Sequence, residues 1–164
     1  EVLSIISGNK KHIKYGSLHP LNKEAENTKS IQGILKGGNL LLIQTTIGTD
    51  WQVNLKNSIL IIEDVNEAAY VIDRLLNHLK HAKILNDVQA IIFGDFENNN
   101  KGQRKLINET IKLFAANLNI PAFRLYGVGH GLKNKPLLLN ALASIEDSEL
   151  TMKNVVEFIF NKHV

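Results

Sequence analysis

The sequence predicts an α/β domain with a partly parallel sheet and flanking helices. Three observations carry that prediction. From Ser58 onward, short apolar runs alternate with longer segments whose apolar residues recur at helical spacing. The connections between them are short, which favours right-handed crossovers between neighbouring parallel strands. A hydrophobic fraction of 44% and a charged fraction of 21% over 164 residues are those of one globular core.

Taken in order, residues 1–29 hold a short helix-like VLSIIS and then GNKKHIKYGSLHPLNKEAENTKS. That stretch is polar, broken by Gly8, Gly16 and Pro20, and reads as linker or irregular surface. SIQGILKGG is a strand closed by two glycines. Asn39 is placed to cap a helix LLLIQTTI, which Gly48 would end. SILIIE is a buried-strand run, and NEAAYVIDRLLNHLKHA sets Ala68, Ile72, Leu75, Leu76 and Leu79 at helical spacing. VQAIIFG is a second strand, and GQRKLINETIKLFAANL aligns Ile107, Ile111, Phe114 and Leu118 on one helical face. AFRLYG is a third strand. ENNNKG (97–102) is an exposed loop; after Pro136 the chain suggests small strands at the sheet edge, and NVVEFIF a last strand or helix.

Composition removes several function classes. With no cysteine there is no disulfide, thiolate nucleophile or cysteine zinc site, which fits a reducing, cytoplasmic setting. No apolar run approaches the roughly 18–20 residues that span a bilayer, so the sequence reads as soluble, with no membrane partner. The net charge of +3 is spread along the chain, KKHIK being its densest cluster, and the aromatics are scattered. A basic stripe with stacking aromatics, as nucleic-acid binding requires, is not found.

Two side chains stand out for chemistry. Glu63 ends the strand SILII, and His130 sits between glycines in YGVGHGLKN, just past AFRLY. In parallel sheets, functional groups collect outside the carboxyl ends of strands. A histidine held there by a carboxylate would act as a proton carrier near neutral pH. From pattern alone, the commoner arrangement has Glu63-Asp64 capping the following helix while His130 terminates a strand. His78 and His81 lie three apart but off the apolar face and lack a third ligand, so no metal is expected. LKGGNL lacks a phosphate-loop spacing and reads as a tight turn. Asp73 and Arg74 read as a surface ion pair, and Trp51 as a loop residue that lines a pocket or covers the core. None of the seven serines (4, 7, 17, 30, 58, 144 and 148) lies in a nucleophile-elbow context.

GGNLLLIQTTIGTDW, ILIIEDVNEAAYVIDRLL, IIFGDF and GVGHGLKNKPLLLNALASI, in that order, resemble the C-terminal domain of the LD-carboxypeptidase family of serine peptidases. The family includes muramoyltetrapeptide carboxypeptidases and microcin C self-immunity proteins, and the likeness covers residues 30–146. It implies a swivelling β/β/α domain over residues 30–164, with 1–29 as linker and tail of an N-terminal domain that supplies the nucleophilic serine and oxyanion hole. The chain starts at Glu1 rather than Met, and a preceding segment is expected.

The resemblance further implies that Glu63 and His130 are catalytic. Asp64, Gly129, Gly131, Asn134 and Trp51 are expected to bind substrate or support the pair. The glycines would let the histidine turn approach the other domain. The implied substrate is a peptidoglycan tetrapeptide that loses its terminal D-alanine, with no cofactor. A homodimer, a non-catalytic domain binding peptide or cell-wall fragments, and a microcin-type amidase are the alternatives held open. Asn66, Ala69, Val71, Leu138 and Asn140 depart from the family pattern, which puts substrate choice in question rather than the catalytic pair.

Overall fold

The structure is a computed structural model that describes residues 2–154. Its elements are α1 (Val2–Ile6), β1 (His12–Tyr15), β2 (His19–Pro20), α2 (Lys23–Asn27), β3 (Ser30–Asn39) and α3 (Leu40–Thr45). They continue with β4 (Ser58–Val65), α4 (Ala69–His81), β5 (Val88–Glu97), α5 (Lys101–Ala116), β6 (Ala122–Arg124), β7 (Leu142–Glu146) and β8 (Glu149–Lys153). All strands join one sheet in the order β1-β8-β7-β3-β4-β5-β6-β2.

The centre of the sheet is parallel and both flanks are antiparallel. β3, β4, β5 and β6 run parallel, joined by α3, α4 and α5 as crossovers. β4 is buried along almost its whole length because both faces are covered, as expected for a central parallel strand. Its alternation sends Leu60 and Ile62 into a core with Leu40, Leu76, Leu79, Ile107 and Ile111 of the three helices. Ile59 and Ile61 enter a second core with Ile5, Ile13, Leu35, Ile92, Phe123 and Ile145.

The helices follow their apolar spacing. α4 buries Ile72, Leu75, Leu76 and Leu79, and α5 buries Ile107, Ile111, Phe114 and Ala115. Asn39 caps α3 by accepting the Leu42 N–H at 3.1 Å. α3 stops at Thr45 rather than at Gly48, because Thr45 and Thr46 hydroxyls donate to the carbonyls of Leu42 and Ile43 and compete with the helical ladder.

The largest departure from expectation lies in residues 2–29, where paired strands and buried side chains replace the expected irregular surface. β1 pairs with β8 and β2 pairs with β6, so this stretch supplies both edges of the sheet, and Ile5, Ile13, Tyr15, Leu18 and Ala25 are buried. The expected tail strands exist as the β7–β8 hairpin, turned by Asp147 and Ser148 at positive φ. The hairpin lies inside the sheet, between β3 and β1, instead of at its edge. The element expected over NVVEFIF falls, from residue 155, outside the described residues.

Candidate catalytic site

Alternation along β4 points Glu63 and Asp64 to opposite faces of the sheet. Asp64 faces the helices: its carboxylate accepts from the Leu41 N–H at 3.1 Å and the Asn39 side-chain amide at 3.2 Å. The expectation that Glu63-Asp64 caps the helix following β4 is therefore corrected, since Asp64 serves the start of α3. α4 begins at Ala69, its N-cap residue Ala68 offers no side-chain cap, and the Ala69 N–H donates to the Gln103 side chain instead. LKGGNL is the last part of β3 and the first residue of α3 rather than a tight turn, because residues 35–39 pair with β4, and the negative charge of Asp64 suits the helix start.

Glu63 projects into the other layer, where it meets His130. The Nδ1 of His130 lies 2.6 Å from Glu63 Oε2. An ionised carboxylate only accepts, so Nδ1 carries the proton and Nε2 is the basic nitrogen. The Glu63 side chain is 10% exposed and that of His130 54%, so the acid is held in the wall while the imidazole faces outward. The hydrogen bond and the negative charge of Glu63 raise the His130 pKa above the ordinary histidine value, and burial opposes them weakly. Such a histidine is oriented, single in tautomer and a stronger base than a free one.

A bulge in β5 brings the pair together. Ile62 pairs with Phe93 but Asp64 pairs with Phe96, leaving one additional residue in β5 opposite Glu63, at Gly94-Asp95. The loop after β6 crosses this opening: Asp95 N–H donates to Val128 O at 2.6 Å, and Asp95 Oδ2 accepts from Gly127 N–H at 2.9 Å. A Cβ at Gly94 would lie 2.7 Å from Val128 O, so only glycine allows this crossing. Gly129 has φ +129, and a Cβ there would lie 2.9 Å from Glu63 Oε2 and 3.1 Å from Asp95 O. Its missing side chain thus makes room for this chain's own Glu63 and Asp95.

The loop is also closed on itself. Lys135 N–H donates to Gly127 O at 2.7 Å, and Asn134 Oδ1 accepts from Gly129 N–H at 3.3 Å. Gly131 lies beside Asp95, where a Cβ would approach Oδ2 to 3.2 Å. Glu63, Gly129, His130, Gly131 and Asn134 line one open cavity of about 520 Å³, together with Lys135. Trp51 is not among its lining residues; it is 85% exposed in the connection from α3 to β4 and covers no core.

No serine lines this cavity among the described residues. Those residues also hold no cluster of three or more metal-ligating side chains, and His78 Nδ1 instead meets the Gln44 amide at 2.5 Å. Asp73 accepts from the Asn77 amide at 3.1 Å. Gly94 and Asp95 escaped the sequence reading, although a glycine inside a strand-like run, IIFGDF, is the usual mark of a bulge.

A sheet of this order with a carboxylate-held histidine beside its parallel centre defines an α/β domain that presents an oriented imidazole to an open cavity. The family model for the LD-carboxypeptidase C-terminal domain matches residues 32–145, and the chain belongs to that family. It is 38% identical over 149 residues to a putative carboxypeptidase of Rickettsia conorii, covering 91% of this chain and 46% of the relative. It is 32% identical over 123 residues to a probable murein peptide carboxypeptidase of Bacillus subtilis, covering 73% of this chain and 39% of that one. The chain thus spans less than half the length of these curated relatives.

Among solved structures, the muramoyltetrapeptide carboxypeptidase of Oxalobacter formigenes superposes with a TM-score of 0.74 at 21% identity, over 92% of this chain and 54% of that one. The microcin C7 self-immunity protein MccF superposes with a TM-score of 0.61 at 21% identity, over 87% and 40%. At that identity these two likenesses establish a shared fold.

Proposed function

We propose that Glu63 and His130 are the orienting acid and the general base of a serine LD-carboxypeptidase. The nucleophile sits on an N-terminal domain of the parent protein, and this chain alone is inactive. The observation that carries the reading is the 2.6 Å Glu63–His130 contact, with the imidazole opening on a cavity that no serine lines among the described residues. The carboxypeptidase relatives support the class.

In this mechanism His130 Nε2 takes the proton of the serine hydroxyl as its oxygen attacks the carbonyl carbon before the terminal residue. Glu63 stabilises the imidazolium that forms. The imidazolium then passes the proton to the leaving amine as the peptide bond breaks. Water, deprotonated by the same nitrogen, releases the acyl group and regenerates the serine. The substrate is a peptidoglycan tetrapeptide and the product D-alanine, in keeping with the names of the Bacillus relative and the Oxalobacter structure. A cytoplasmic setting accompanies this reading.

The test is release of D-alanine from a muropeptide by the parent protein, its Glu63→Ala and His130→Ala variants, and this chain alone. Each substitution is expected to lower turnover by about 10³-fold or more. Unchanged turnover in either variant overturns the assignment. Faster cleavage of a microcin-type peptide nucleotide than of the muropeptide would move the substrate to the immunity branch of the family.

A further inference from the structure

Arg124 occupies a place where the pattern of the fold calls for an apolar side chain. It ends β6, whose alternation puts Ala122 in the helix-side core and Phe123 in the other. Arg124 follows Ala122 to the helix side and is only 7% exposed. Its guanidinium carbon lies 5.0 Å from the Tyr126 ring centroid and 5.8 Å from that of Phe96. Those rings serve the faces of the guanidinium. Its five N–H donors lie in the plane and need acceptors.

One of those donors is orphaned among the described residues. Nε is buried without any partner, and no carboxylate lies within 4.0 Å of the group. Asp95 and Glu97 stand close enough to favour the positive charge, but Asp95 is committed to Gly127 N–H and Glu97 faces Arg104 at 3.8 Å. Burial pushes the guanidinium below its ordinary pKa, the cost of a desolvated cation without a contacting counter-ion. Arg124 also lines a small cavity of about 110 Å³, completed by Leu21, Asn108, Ile111, Lys112 and Tyr126. The polar part of that lining is a second cation, an amide and a phenol.

We propose that Arg124 anchors a binding site for a small oxyanion, a carboxylate or phosphate group, in the cavity between β6 and α5. The anion accepts from the in-plane edge of the guanidinium while the rings hold its faces, with Lys112 and Asn108 closing the site from α5. The cavity is small, about 110 Å³, and holds an oxyanion head group. The site is independent of the Glu63–His130 pair, whose cavity shares no lining residue with it.

The experiment titrates the 164-residue chain with inorganic phosphate and, separately, sodium acetate, at ionic strength held constant with sodium chloride. The Arg124 Nε–Hε resonance and the melting temperature are followed. Expected is a saturable shift of that resonance with a Kd in the millimolar range. Melting should rise by about 4 °C at an anion concentration ten times Kd. Lys112→Ala, on an exposed position that leaves the core intact, is expected to weaken binding about threefold to tenfold. Arg124→Gln is expected to abolish it.

Saturation by phosphate alone assigns a phosphate group, and saturation by acetate as well assigns a carboxylate. The absence of a saturable shift with either anion overturns the proposal and leaves Arg124 a stacked structural cation. Equal affinity in Lys112→Ala overturns the site as described, even where Arg124→Gln fails to fold.

Discussion

Replacing Gly129 by alanine tests how the candidate site is held. Two costs arise at that position. The backbone sits at φ +129, a region that L side chains rarely adopt, worth about 1–3 kcal/mol of strain. The added methyl would also lie 2.9 Å from Glu63 Oε2 and 3.0 Å from Glu63 Cβ, with Asp95 O at 3.1 Å behind, so no single neighbour can yield without moving another. Overpacking of that kind adds about 1–3 kcal/mol. With partial relaxation the sum is about 3 kcal/mol, or about 9 °C in melting temperature for a domain of this size.

The clash falls on the carboxylate that holds His130, so the variant is also expected to lengthen the Glu63–His130 contact. The His130 pKa, read from the imidazole resonances in an NMR titration, should then fall toward the ordinary histidine value. Chemical denaturation supplies the stability and the titration supplies the geometry. A Gly129→Ala protein within 0.5 kcal/mol of wild type, with its His130 titration unmoved, would refute this account of the glycine.

Three further outcomes follow from the charges around the loop. Glu63→Gln keeps an acceptor but removes the negative charge, and is expected to lower the His130 pKa in the NMR titration; an unchanged value would separate the histidine from its acid. Because the folded-state pKa of His130 is raised, its ion pair stabilises the fold fully below about pH 6.5 and loses that contribution as pH rises through the raised value. The stability gap between wild type and His130→Ala, measured by urea unfolding, should therefore narrow from pH 5.5 to pH 9. Asp95 has its pKa raised chiefly by burial, so its ionisation opposes folding above about pH 4, an effect absent below it. Asp95→Asn retains an acceptor for Gly127 N–H and is expected to match or exceed wild-type stability at pH 7, with any advantage gone near pH 3. Greater loss at pH 7 than at pH 3 would show that the charge itself anchors the loop.

Much of the layout was readable without coordinates where the signal is local. The runs at 58–63 and 88–94, and the helical faces of Ile72–Leu79 and Ile107–Phe114, each carry a period that a strand or helix imposes on its own residues. Glu63 and His130 were readable as residues near the carboxyl ends of apolar runs for the same reason, although β4 continues to Val65 and β6 already ends at Arg124. β1 and β2 were not, because segments of four and two residues are too short to show a period. Their pairing with β8 and β6 is decided by partners far along the chain. Trp51 shows the converse limit: residue type alone suggested a pocket or a core cover, and the α3–β4 connection leaves the ring in the open.

The sequence by itself determined that Glu63 closes a buried apolar run and that a glycine-flanked histidine follows the third apolar strand. Only the tertiary structure decided which face receives the histidine. The added β5 residue at Gly94-Asp95 opens the ladder opposite Glu63, and the loop after β6 fills that opening and sets His130 against the carboxylate across 67 residues of chain. Alternation is a property of each strand's own backbone, whereas a contact across three strands depends on their mutual register, which no short stretch encodes.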